Sequence, residues 1–158
     1  MPLISTGLFL LFLAIPKIDP LRQNIEKFRK HYDIFVAIVI AFLTYIHLLI
    51  VVWNMDVSFS LVQFLAPAFA ILLDYCGILT ENAKRNWFVG IRTPWTLSDE
   101  RIWEKTHKTG GKLFKVAGAI ALLGIIFQDY AVLFVLLPVI LVAVYTVVYS
   151  YLEYQKMA

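Results

Sequence analysis

The chain has 158 residues, of which 61% are hydrophobic and 16% charged, and its mean hydropathy is +0.77. A water-soluble domain is nearer half apolar and a quarter charged, so this composition excludes an ordinary globule in water, and it equally excludes a disordered chain. Of the 14 basic and 11 acidic residues, nineteen fall in two blocks, 17–33 and 80–112, separated by long apolar runs; this is the pattern of a membrane protein with several spans.

In chain order, residues 1–16 are apolar and end at Pro16. They lack the basic start and the small-residue cleavage site of a signal peptide. They predict a short span over about 2–16, roughly 22 Å long against a hydrocarbon core of roughly 30 Å. The first charged block then opens with Asp19-Pro20, a carboxylate N-cap followed by a proline suited to the first helical position. Leu21, Ile25, Phe28 and Tyr32 recur on one helical face, which predicts an amphipathic helix over about 20–33 lying in the membrane interface.

Residues 34–53 contain no Asp, Glu, Lys or Arg and form the clearest span. After a turn at 54–56, residues 57–79 predict a third span with Pro67 and Asp74 inside it. The second block, 80–112, is long for a connection and is expected to carry its own structure. Pro94 disfavours helix through Thr93. Thr96 or Ser98 can cap a helix over about 98–109, with Asp99 and Glu100 in its first turn and Gly110-Gly111 ending it. Its Ile102, Trp103 and Thr106 are expected to rest on the membrane surface. A fourth span over 112–128 carries Ala117, Gly118, Ala121 and Gly124 as a helix-packing stripe. Asp129 makes a turn, and a fifth span over 130–152 contains Pro138.

The expected fold is thus an all-α polytopic membrane bundle, residues 1–158 forming one membrane domain with five transmembrane helices. Lys and Arg crowd both charged blocks and are absent from the turns at 54–56 and 129. Basic residues mark cytoplasmic loops, so both blocks and the C-terminus are expected inside and the N-terminus outside. The same asymmetry accounts for the net charge of +3 without a nucleic-acid partner. Cys76 is the only cysteine, which excludes an intramolecular disulfide, and no Cys/His cluster has metal-ligand spacing. No metal or cofactor is expected, and neither G-x-S-x-G nor H-E-x-x-H occurs to suggest an enzyme.

Polar residues inside apolar spans are costly and are therefore candidates for function. Here they are His47, Gln63 and Asp74. A polar cavity joining them would suit a small transporter or a lipid-binding protein, and a hydrogen bond or salt bridge to a neighbouring helix is the plainer alternative for each. Arg92 with Thr93 and Trp95 offers a guanidinium and a hydroxyl to an anionic group such as a lipid phosphate; alternatively Arg92 ties the loop to helix-end carbonyls.

The run Asn86-Trp87-Phe88-Val89-Gly90-Ile91-Arg92-Thr93-Pro94-Trp95-Thr96, followed by Trp103, Thr106-His107 and Gly110-Gly111-Lys112, closely resembles the signature of the SdpI family. These are multispan prokaryotic membrane proteins named for immunity to a sporulation-delaying toxin. The segment Leu13-Ala14-Ile15-Pro16-Lys17-Ile18-Asp19-Pro20, with Asn24, Phe28 and His47, resembles other family positions, so the likeness runs from about residue 10 to 127. Typical relatives carry one more N-terminal span. The resemblance implies a non-enzymatic protein of the prokaryotic cytoplasmic membrane that contacts lipids, confers immunity to a membrane-active peptide toxin, and recruits a cytosolic regulator through its inner loop. It also implies that Asn86, Gly90, Arg92, Thr93, Pro94, Trp95, Thr96, Trp103, Thr106, His107, Gly110 and Gly111 form the functional signature.

Overall fold

The computed structural model describes residues 2–57 and 59–157. Among these every regular element is helical: α1 (Pro2–Ile18), α2 (Arg22–Lys27), α3 (Arg29–Trp53), α4 (Leu61–Asn82), α5 (Pro94–Ser98), α6 (Glu100–Ala121), α7 (Leu123–Ile126), a 3-10 turn (Gln128–Tyr130) and α8 (Ala131–Gln155). Four stretches are long and apolar enough to cross a bilayer: Arg29–Trp53, Leu61–Asn82, Glu100–Ile126 and Gln128–Gln155. α1 is apolar but shorter, at 17 residues. The protein is a membrane protein built as a helical bundle. The turn at 54–56 is present, with Asp56 in the left-handed region at φ 59°. Ser58, near the start of the expected third span, lies outside the described residues.

Two expectations are corrected. The segment 98–109 is not a separate surface helix. Ser98 ends α5, Asp99 rather than Thr96 or Ser98 caps α6, residues 100–109 are the first half of α6, and Gly110-Gly111 lie inside that helix rather than ending it. Glycine there serves close approach instead of termination. A Cβ on Gly111 would lie 2.7 Å from the Gly77 carbonyl oxygen of α4, and one on Gly118 would lie 2.8 Å from the Ala70 carbonyl oxygen. Small residues at these crossings bring the two backbones together where no hydrophobic effect drives helix association. The expected stripe on the fourth span therefore packs as predicted, and Gly77 on α4 completes it.

The second correction concerns what the amphipathic faces meet. Residues 20–33 are split at Phe28 between α2 and the first turn of α3. Their apolar face packs on protein rather than on lipid: Ile25, Phe28 and Tyr32 join Ile15, Val36, Leu79, Ala83 and Trp103 in one buried cluster. Ile102, Trp103 and Thr106 are likewise fully buried in the bundle. Periodicity identified the buried faces, but it carries no information on whether protein or lipid covers them. A second cluster, Ala70, Leu73, Ala117, Ala121, Val135 and Val142, joins α4, α6 and α8 at membrane depth. By contrast α3 is sparsely covered, with only 6% of its apolar window buried.

Candidate functional site

The two charged blocks meet at one end of the bundle, and short polar side chains join them. Asn86 is fully buried. Its Oδ1 accepts from the backbone N–H of Phe88 (2.9 Å) and of Val89 (2.6 Å). Its Nδ2 donates to the carbonyls of Lys84 (2.8 Å) and Val89 (2.9 Å). Asn suits the position because one short side chain supplies both donors and acceptors to a tight backbone turn. Asp19, only 2% exposed, accepts from Leu21 N–H at 2.6 Å and from Trp87 N–H at 2.9 Å. Asn24 donates to the Arg85 carbonyl at 2.8 Å. The first block thus clamps the second from 61 to 68 residues away.

Gly90 follows with φ +111°, a conformation that L side chains rarely adopt. A Cβ there would lie 2.3 Å from His107 Nε2. His107 is buried, and its ring stacks on Trp103 at 3.8 Å with an interplanar angle of 16°. Its Nε2 accepts from Ile91 N–H at 2.9 Å, and its Nδ1 lies 2.9 Å from the Trp103 carbonyl oxygen. These two partners assign the neutral Nδ1–H tautomer, since a carbonyl requires a donor and an amide requires an acceptor. Trp103 Nε1 donates to the Ala83 carbonyl at 2.8 Å, which fixes the end of α4.

Thr93, Pro94 and Thr96 then start α5. The Thr93 hydroxyl accepts from Thr96 N–H and the Thr96 hydroxyl from Thr93 N–H, a reciprocal capping box with Pro94 at the helix start. Thr96 also donates to the Ile91 carbonyl at 2.8 Å. Thr93 Oγ1 lies 3.0 Å from Ser150 Oγ on α8, and Trp95 rests against Tyr151. Nearby, Glu153 of α8 is buried and bonded to both Lys105 (2.7 Å) and Lys156. At the start of α6, Arg101 holds the Asp99 carboxyl below the usual carboxylate range, first through its side-chain hydrogen bond and then through its backbone N–H.

The signature residues therefore form one connected platform, with Asn86, Gly90, Thr93, Thr96, Trp103 and His107 at its centre. Gly110 lets Ile91 and Thr146 approach, and Gly111 admits α4. Thr106 is buried, and its hydroxyl has no hydrogen-bond partner among the described residues. What the platform leaves exposed is an apolar and cationic edge: Trp87 (50% exposed), Phe88 (38%) and Arg92. Arg92 donates one guanidinium N–H to the Trp87 backbone carbonyl at 2.6 Å, which orients the Arg92 side chain along this edge.

The three intramembrane polar residues are not brought together. Gln63 and Asp74 are eleven positions apart on α4, roughly 16 Å along the helix. Five of the grooves and cavities among the described residues are lined by other side chains and by none of His47, Gln63 and Asp74. Asp74 is exposed and forms no ion pair with Arg92, Lys84 or any other described residue. Conversely, Ser150, Glu153 and Gly77 were not predicted. A serine and a glutamate at the end of an otherwise apolar helix were the only signals, and their partners lie 57 and 48 residues away.

Residues 82–150 match the family model described as the SdpI/YfhL protein family. The Immunity protein SdpI of Bacillus subtilis (strain 168) is 34% identical over 88 residues, which cover 55% of this chain and 42% of that protein. The match thus spans less than half the length of that relative. No solved structure matches the chain. The segment that builds the platform is thus similar to the SdpI/YfhL protein family and to this relative.

Proposed function

We propose that the chain confers immunity to a membrane-active peptide toxin, and that the platform of residues 86–111 is the part that reports toxin contact or holds a cytosolic regulator. The observation that carries this reading is the contrast within the platform. Its interior is fixed by buried hydrogen bonds, while Trp87, Phe88 and Arg92 remain at its edge. Aromatic residues and arginine on a rigid support are the side chains that dominate protein recognition. In this reading α1 is a fifth span, roughly 25 Å long, the platform faces the cytoplasm, and the N-terminus lies outside. The toxin meets the protein in the membrane plane.

The grooves along the sparsely covered α3 support such contact. One of about 790 Å3 runs between α1 and α3 past Phe12, Tyr32, Val36 and Tyr45. A transporter reading has no comparable support, since its three polar residues do not converge. Survival of a toxin-sensitive host tests the proposal. Cells expressing the chain in their membrane should outlive the vector control, and equal killing at verified membrane expression refutes it.

A further inference from the structure

Beside the platform, the C-terminal end of α4 and the first half of α6 enclose a polar pocket of about 420 Å3, lined by Glu81, Asn82, Ala83, Lys84, Glu104, His107, Lys108 and Lys112. We propose that this pocket binds a phosphate-bearing anion, and that the phosphate belongs to an anionic lipid headgroup. The inference rests on charge, size and depth and is independent of toxin immunity.

Charge comes first. Both acids that line the pocket are already neutralised across the helix pair. Lys84 bonds Glu104 at 3.0 Å, and Lys115, one turn deeper on α6, bonds Glu81 at 2.6 Å. Lys108 and Lys112, one turn apart on α6, have no ion-pair partner among the described residues. Two uncompensated ammonium groups therefore flank one concavity. The other polar linings are engaged: both His107 nitrogens have partners, and Asn82 Nδ2 donates to the Ile78 carbonyl at 2.8 Å. The pocket volume falls within the roughly 300–1,000 Å3 typical of small-molecule sites.

Depth selects the lipid over a free anion. A span needs about 20 residues, and twenty residues counted back from Ile126 reach His107. Lys108 then lies at the edge of the span and Lys112 about one turn inside it, from where their butyl stems can follow the helix and carry the ammonium groups out to the headgroup phosphates. Basic pockets between membrane helices at this level recognise anionic headgroups.

Native mass spectrometry of the detergent-released protein tests this with three forms: wild type, Lys108→Gln/Lys112→Gln, and Lys17→Gln/Lys30→Gln as a control with the same loss of charge on exposed residues elsewhere. Each is titrated with phosphatidylglycerol, with phosphatidylcholine, and with inorganic phosphate as competitor. The proposal expects wild type and control to retain one phosphatidylglycerol in preference to phosphatidylcholine, with retention about tenfold weaker in Lys108→Gln/Lys112→Gln. Equal retention of the two lipids, or equal retention by all three forms, overturns it. Displacement of the lipid by millimolar inorganic phosphate keeps the phosphate site but overturns the lipid as its source.

Discussion

His107 Nε2 receives the backbone N–H of Ile91 at 2.9 Å, so the imidazole of α6 holds the loop that precedes α5 in place. Replacing His107 by Ala leaves that N–H without its acceptor and removes the ring stacked on Trp103. An unpaired buried donor costs about 1–3 kcal/mol, and an aromatic contact adds about 0.5–1.5 kcal/mol. His107→Ala should lower the melting temperature in detergent and speed amide exchange at Ile91 more than at α8. Unchanged exchange at Ile91 would contradict the assigned bond.

Glycine substitution should separate strain from helix propensity. Gly90→Ala must place a Cβ at φ +111° against His107, so it should destabilise by about 1–3 kcal/mol. Gly7 on α1 has nothing within 4 Å of a built Cβ, so Gly7→Ala should stabilise by about 0.5–1 kcal/mol. Thermal melts of the two variants should shift in opposite directions.

Thr106 offers the reverse case. Its buried hydroxyl lacks a partner among the described residues, and valine has nearly the same shape. Removing an unpaired polar atom without opening a cavity is neutral to stabilising. Thr106→Val should therefore melt at or above the wild-type temperature, and a clear drop would reveal a partner for the hydroxyl.

Glu153 is held by two lysines, so losing one should be buffered by the other. Lys105→Gln and Lys156→Gln should each lower the melting temperature only slightly, while the double variant, which leaves the carboxylate without a lysine partner, should exceed their sum. A double-mutant cycle on melting free energies measures the excess, and strict additivity would show that the two lysines act independently.

Much of this architecture was legible in the sequence because it follows from local chemistry. Apolar runs locate α3, α4 and α8, whereas α5 with its Thr93 cap is not expected, since the local pattern points to Thr96 or Ser98 as the cap of a later helix. The small-residue stripe beginning at Ala117 foretold a tight helix crossing. What was not legible depends on distant partners. Gly110-Gly111 reads locally as a helix stop, and only the approach of Gly77 from α4 makes it a helix interior. The apolar face of Ile25, Phe28 and Tyr32 was correctly identified, yet its cover is protein rather than lipid because the second block folds back over it. Asp19 reads locally as a cap for its own helix, and one of its oxygens does serve Leu21. The other reaches Trp87, a contact no local pattern encodes.

The proposed immunity role falls to the exposed edge of the platform, not to its fixed interior. Survival under toxin challenge of cells expressing Trp87→Ala/Arg92→Ala, at wild-type membrane level and melting temperature, tests it most directly. Wild type should protect, and this variant, although folded, should not. Full protection by the variant would contradict it.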